Sequence, residues 1–315
     1  MSVTTATAPG KIILFGEHAV VYGRPAIAAP VTQIRAEAVV ADSSSAGIRL
    51  VAPDIGRDYR LTEARANDPF ARSVRLVLEE SGLSSPPDLR ITVQSTIPIA
   101  SGLGSGAAMA AAVIRALACH LELEQMATDE RVSELTYQVE KLLHGTPSGI
   151  DNTVVAHEKP VYFVRQKPQN RIKTLTVARP IWLLVADTGV ASSTKSVVGD
   201  VRRQWQAEPE RFEQIFSACG RIADQARQAI EQGARPALGR LMTDNQSYLR
   251  QMTVSSAELD RLVSTAVSAG ALGAKLSGAG RGGNMIALVT QGSEEVVGRA
   301  LIAAGASSIQ RSILG

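Results

Sequence analysis

The sequence predicts a mixed α+β protein of two domains. Three observations carry this. The chain has 315 residues, more than a single domain usually holds. Its apolar patterning gives both strands and helices along the chain, with two long amphipathic helices around 208–233 and 235–252. The pattern also restarts at Arg179-Pro180, where a new apolar run opens. The boundary is placed there, giving domains 1–178 and 179–315.

Taken in order, Lys11 to Phe15 reads as a buried strand, and Val20 to Tyr22 and Ala26 to Val31 as extended segments parted by Gly23-Arg24-Pro25. Arg35 to Val40 and Ile48 to Ala52 read as strands around a turn at Ser43–Gly47. Asp68-Pro69 opens a helix whose apolar face is Phe70, Val74, Val77 and Leu78, and Pro86-Pro87 breaks it. Leu89, Ile91 and Val93 alternate as a half-buried strand. An Ala-rich helix runs from about Ala107 to Leu121, and a second begins near Asp129, with Val132, Leu135, Val139, Leu142 and Leu143 as its stripe and Gly145 as its stop. Val154–Ala156 and Val161–Val164 read as strands, and Ile181–Ala186 opens the second domain. Helices are predicted around 208–233, 235–252 and 256–269, the last leading into the glycine-rich stretch Gly273–Gly283 and then a strand at Met285–Val289.

Composition narrows the function. Apolar residues make up 45% of the chain, so a substantial core is expected. Basic and acidic residues number 33 and 30, and the basic ones are scattered without aromatic platforms, which argues against nucleic-acid binding. Cys119 and Cys219 show no metal spacing and read as small core residues of a reducing compartment. No signal peptide is evident, and no apolar run approaches the roughly 18 residues that span a bilayer.

Four stretches carry chemistry. In His144-Gly145-Thr146-Pro147-Ser148-Gly149-Ile150-Asp151-Asn152, a carboxylate follows a tight turn, and Glu140 precedes it on a helix. One acid can deprotonate a hydroxyl while the other holds a metal ion, the division of labour needed to move phosphate from ATP to an alcohol. For Glu140 alone, a surface pair with His144 competes with the metal-ligand reading. The loop Gly102-Leu103-Gly104-Ser105-Gly106 runs straight into a helix, whose N-terminal N–H groups and dipole suit a phosphate. It is not a Walker loop, since no G-x-x-x-x-G-K-[ST] occurs. Gly278, Gly280 and Gly283 match G-x-G-x-x-G, but with a helix expected before and a strand after, the reverse of the dinucleotide fingerprint. Lys11, beside Pro9-Gly10, could stabilise a developing alkoxide, and Glu17 and His18 interrupt an apolar region as site-lining residues do.

Together these stretches resemble the small-molecule kinase superfamily named for galactose, homoserine, mevalonate and phosphomevalonate. Three motifs appear in order: Ala8-Pro9-Gly10-Lys11 through Gly16-Glu17-His18 to Gly23; Ile97-Pro98 with Gly102 through Ala108; and Lys275-Leu276-Ser277-Gly278-Ala279-Gly280-Arg281-Gly282-Gly283. The first motif and the stretch around Asp151 are closest to the mevalonate-phosphorylating branch, and Asp187-Thr188-Gly189-Val190 through Ser193-Thr194-Lys195 is similar to it as well.

The resemblance implies an N-terminal domain with a left-handed βαβ crossover, like domain 2 of ribosomal protein S5, and a ferredoxin-like C-terminal domain. It implies Asp151 as general base on the primary hydroxyl of mevalonate and Lys11 as the cation that lowers that hydroxyl's pKa. Pro98, Gly102, Leu103, Gly104, Ser105, Gly106 and Ala107 would wrap the ATP phosphates. Glu140, with Ser105, would ligate Mg2+, while Glu17, His18 and Ser148 would contact the acceptor and Thr194 would face the site. ATP and Mg2+ are the implied cofactors, mevalonate the implied small-molecule partner, a homodimer an assembly it admits, and the cytoplasm the implied location. Two positions depart from the pattern. Gly106 stands where a second serine is usual, and Arg281 where a small glycine is common, so that its guanidinium would reach phosphate oxygens or point to solvent. The competing readings are a phosphomevalonate or homoserine kinase, an ATP-dependent decarboxylase of a phosphorylated mevalonate, and a non-catalytic sensor.

Overall fold

The computed structural model describes every residue except 1, 99–101, 145–146 and 168–169. In chain order the strands and helices are β1 (Val3–Phe15), β2 (Ala26–Asp42), β3 (Ile48–Ala52), β4 (Arg57–Arg60), α1 (Pro69–Ser81), β5 (Leu89–Ser95), α2 (Ser105–His120), α3 (Asp129–His144), α4 (Ile150–His157), β6 (Val161–Val164), β7 (Arg171–Thr174), β8 (Ile181–Asp187), α5 (Thr194–Ala207), α6 (Pro209–Gln232), α7 (Arg235–Gln251), α8 (Ala257–Ser268), β9 (Gly273–Ser277), β10 (Asn284–Val289), α9 (Glu294–Ala303) and β11 (Ser308–Leu314). They form two compact units. The first holds the chain up to Lys11, the segment from Ile34 past β5, and Leu103–Glu158. The second holds Ile12–Gln33, Gly102 and Lys159–Gly315.

In the first unit β3 pairs in parallel with β5, and α1 lies between them in sequence, so the three make a βαβ unit. β5 also pairs antiparallel with Ala36–Asp42 of β2, and β3 with β4. The alternation in β5 is as expected, with Leu89, Ile91 and Val93 buried and Arg90 exposed. α2 packs on β5 of this layer, and α1, α3 and α4 pack around α2. The most enclosed is α2, where Ala107, Ala108, Ala110, Ala111, Ala112, Ala116 and Ala118 are all buried. Alanines let neighbouring helices approach closely in a chain with only 4% aromatic residues. α1 is capped by Asp68, whose carboxylate accepts from the N–H groups of Phe70 and Ala71. It ends at Gly82 in the left-handed conformation, ahead of the Pro86-Pro87 pair expected to break it.

In the second unit β11, β8, β10 and β9 form an antiparallel sheet in that order. Counted along the chain this is the 4-1-3-2 order of a βαββαβ plait, the ferredoxin-like arrangement expected. α5–α8 fill the first crossover and α9 the second. Phe212, Phe216, Leu249, Met252, Leu262 and Met285 lie in its core. Ala26–Ala28 pair with β6, which pairs with β7.

Several local expectations are corrected. Ala19–Tyr22 is a 3-10 turn, not an extended segment: Gly16 and Gly23 close it at both ends with positive φ. Val154–Ala156 belongs to α4, not to a strand; a short apolar run has no period to separate the two. The glycine-rich stretch lies between the antiparallel strands β9 and β10 rather than after a helix. With a strand following it, the dinucleotide reading still fails. β4 and β7 carry too few apolar residues to be expected, and α5, α9 and β11 are not among the expected elements either, although Val197, Val201 and Trp205 of α5 and Val297 and Leu301 of α9 stand at helical spacing. Gly145, the expected stop of α3, lies outside the described residues.

Candidate active site

In the first unit, β1 delivers Lys11 to the loop before α2. Its backbone N–H donates to the Leu103 carbonyl at 2.8 Å. Gly104 follows with φ 77° and begins the helix, its carbonyl accepting from the Ala108 N–H. A Cβ at Gly104 would lie 2.8 Å from Cγ of Lys11 and 3.2 Å from Cε. Only glycine lets the lysine stem lie across the loop. The N–H groups of Ser105, Gly106 and Ala107 make up the first turn of α2, where an α-helix supplies no internal acceptor. Pro98 is half-buried just before the undescribed residues 99–101.

The lysine ends at Asp151, with Nζ 3.0 Å from Oδ2. Lys11 is only 7% exposed in its side chain and Asp151 27%, so the pair opens to solvent on the carboxylate side. Asp151 stands in the first turn of α4, where the helix dipole favours an anion. That turn is fixed from three sides. Gly149 takes φ 93°, Ser148 Oγ accepts from the Ile150 N–H at 3.3 Å, and Thr153 Oγ1 donates to the Gly149 carbonyl at 2.7 Å. Asn152, buried, donates from Nδ2 to the Ser133 carbonyl at 3.1 Å and to Ser133 Oγ at 2.9 Å, tying α4 to α3.

Glu140 is buried on α3 rather than standing on the helix surface, and the His144 side chain named as its alternative partner lies outside what the structure describes. Its carboxyl is pushed up to about 8, first by burial and then by the Asp151 carboxylate, with Lys11 pulling the other way. Lys11, Glu140 and Asp151 therefore form one electrostatic cluster. Among the described residues no group of three or more His, Cys, Asp and Glu side chains could hold a metal. Glu140 and Ser105 are oxygen donors of the kind a hard divalent ion takes, and such an ion completes its shell with phosphate oxygens and water. A carboxyl held protonated by burial is relieved by a cation, so Glu140 suits Mg2+ as a ligand.

The remaining candidates lie in the second unit. Glu17 is buried and ion-paired with the wholly buried Lys275 of β9. His18 Nε2–H donates to the Ala279 carbonyl at 2.8 Å. Burial pulls its pKa down to about 4, against the opposing effect of that hydrogen bond, so the ring is neutral. Thr194 is the exposed first residue of α5, capped by Ser193. Gly102 lies near Asn284, its notional Cβ 3.9 Å from Nδ2. Arg281 remains partly exposed, and its guanidinium is engaged within the protein: it pairs with Asp200 of α5, and Nε donates to the Thr253 carbonyl at 3.1 Å. Lys275, Asn152 and Asp200 were not singled out from the sequence. Lys275 carried a signal, a charge between Ala274 and Leu276 in an apolar strand.

Comparison with known proteins places these features. Residues 69–158 match the GHMP kinases N terminal domain and residues 226–307 the GHMP kinases C terminal domain. The mevalonate kinase of Pyrococcus abyssi is 38% identical, over 97% of this chain and 94% of that protein. The crystal structure of L. major mevalonate kinase in complex with R-mevalonate superposes with a TM-score of 0.86 at 32% identity, covering 98% of this chain and 95% of that one. The Methanococcus jannaschii mevalonate kinase, 24% identical with a TM-score of 0.84 and coverage of 99% and 98%, shares the fold.

Proposed function

We propose, for a chain that belongs to the GHMP kinase family and to its mevalonate kinases, that it transfers the γ-phosphoryl group of ATP to the primary hydroxyl of mevalonate, giving 5-phosphomevalonate. The observation that carries this reading is the Lys11–Asp151 pair, held at 3.0 Å with the lysine stem laid over the glycine that opens α2. A base, a cation and a helix N-terminus thus share one lysine.

In this reaction Asp151 accepts the proton of the acceptor hydroxyl. Lys11, 3.0 Å from that carboxylate, stabilises negative charge as it grows on the acceptor oxygen. The first-turn N–H groups of α2 hold phosphate oxygens. Glu140 and Ser105 would hold Mg2+, which would supply positive charge against the phosphates. With Gly106 in place of a second hydroxyl, Ser105, a water or a phosphate oxygen would take its place. Ser148 secures the turn beneath Asp151, His18 and the exposed Thr194 are the acceptor contacts, and Glu17, wholly buried against Lys275, supports His18 rather than touching the acceptor. No helix among the described residues is long and apolar enough to cross a membrane.

The test is ADP release with Mg-ATP and a panel of mevalonate, 5-phosphomevalonate, homoserine and galactose, with product masses recorded. Mevalonate-dependent release and a product heavier by one phosphoryl group are expected. Turnover of a different acceptor, or release of carbon dioxide, would overturn the assignment. A second expectation concerns the loop. Gly104→Ala places a methyl against the lysine stem and forces an alanine into positive φ, so kcat should fall by roughly tenfold to a hundredfold with the fold retained. Unchanged turnover would detach Lys11 from the loop's role.

A further inference from the structure

Lys275 has no part in the roles above, yet its ammonium lies in the second unit's interior. It pairs with Glu17 and donates to the Leu276 carbonyl at 2.6 Å, while the Leu276 N–H donates to Gln246 Oε1 at 2.9 Å. Both charged side chains are fully buried. Replacing such a pair with apolar groups is often neutral or stabilising, so stability alone is a weak reason for its presence.

The residue after Glu17 supplies another reason. His18 has φ 59° and ψ −50°, and the Ala19 N–H reaches back to the Glu17 carbonyl at 2.6 Å. This is a γ-turn of the rare, strained hand, with a non-glycine residue at its centre. The turn has little room to relax, because a Cβ at Gly16 would fall 2.4 Å from the Pro25 carbonyl. Strain of this kind persists only where the surroundings fix it from several directions. Two fixings are visible, one on each side of the peptide. The Glu17 carboxylate is held by Lys275, and the His18 ring is held by the carbonyl of Ala279, four residues beyond Lys275.

We propose that Lys275 is a positioning residue for the acceptor site: by holding Glu17 it keeps the γ-turn closed and His18 in a single Nε2–H tautomer, with Nδ1 presented as a hydrogen-bond acceptor. The acceptor role of His18 rests on the proposed reaction; the holding of its ring does not. The carbonyl of Ala279 can only accept, which fixes the tautomer, and burial keeps the ring neutral.

The test uses Lys275→Met, Glu17→Gln and the double variant in the full chain, all assayed well below their melting temperatures. Long-range 1H–15N spectra report the ring tautomers of the four histidines, with His18 assigned by its loss in His18→Gln. In Lys275→Met the His18 signal should change from one tautomer to a mixture. The KM for the acceptor should rise roughly tenfold or more while the KM for ATP stays within about twofold. On the Glu17→Gln background, Lys275→Met should change the acceptor KM by less than about twofold, because a residue acting through Glu17 has nothing left to act on. If Lys275→Met does not fold, the double variant, which buries no unpaired charge, is compared with the wild type for the same tautomer mixture and raised KM. A single unchanged tautomer with wild-type KM, or effects of the two substitutions that add in full, would overturn the proposal. The tautomer is read without substrate. A wild type inert toward mevalonate would therefore remove the reaction and leave the positioning of His18 decided by the spectra.

Discussion

Asp151→Asn should lower kcat by about a hundredfold to ten-thousandfold, the range supplied by a general base, while the protein stays folded. The amide keeps the shape of the carboxylate and cannot take a proton. The folding expectation is the less obvious half. Lys11 is nearly buried, and removing the partner of a buried charge is often severely destabilising. Here a second carboxyl stands by. Glu140 is held protonated by burial and by the Asp151 charge, against the pull of Lys11. With residue 151 neutral, the repulsive contribution goes and the attractive one remains, so Glu140 ionises more readily and takes over as the anion for Lys11. The cluster keeps its charge balance and loses its base. Lys11→Met should reduce kcat similarly, and the double variant should be little worse than either single one, because the two act as a unit. Turnover within tenfold of wild type in Asp151→Asn, measured by ADP release beside a circular-dichroism melt, would remove Asp151 from the proton transfer.

Much of this cluster was legible in the sequence. Lys11 and Asp151 stand out because each is a charge beside a glycine-containing turn and an apolar run, whereas Glu140, between Val139 and Lys141, reads equally as a helix-face charge and draws its metal role from the resemblance. The α2 loop was legible because glycines that precede an Ala-rich helix leave backbone N–H groups uncovered. The strands and helices with clear periods, β5, α2, α6 and α7, fall within a few residues of expectation. What stayed hidden is the partner of each charge. Glu17 and Lys275 are 258 residues apart, and Arg281 and Asp200 are 81 apart, and no local pattern selects one partner among many. For Arg281 the consequence was direct: phosphate and solvent were the alternatives weighed, and an aspartate on α5 is what it meets. The γ-turn at His18 was equally invisible, because a strained conformation at a non-glycine residue is imposed by tertiary contacts rather than by propensity. α4 was misread for a related reason: enclosed almost all round, it shows no polar face to mark its period.

Glu140→Gln should make the ligand-free protein more stable near pH 8 and a poorer enzyme at the same time. The Glu140 carboxyl has a folded pKa of about 8 against an ordinary value of 4.5, with burial the largest cause. Between these two pH values the folded chain retains a proton that the unfolded chain has lost. Stability contributed by this group therefore falls as pH rises through that window, and the full cost is reached once pH exceeds the folded value. Glutamine carries no such cost. Below about pH 4.5 the two proteins should melt alike, and near pH 8 the variant should melt higher, on the order of 5 °C for a gain of a few kcal/mol. Its magnesium requirement should move the other way, rising on the order of tenfold or more, because an amide oxygen is a weaker ligand than a carboxylate. Mg-ATP should narrow the stability gap, since binding to the folded wild type recovers the energy spent in burying the charge. The opposition is the diagnostic part. A glutamate retained for structure would lose stability on substitution, whereas one retained to hold a cation is a burden until the cation arrives. Melts of the two proteins across pH, beside magnesium titrations of turnover, separate these cases: a variant that is less stable at pH 8, or that needs no more magnesium than wild type, would take Glu140 out of the metal site.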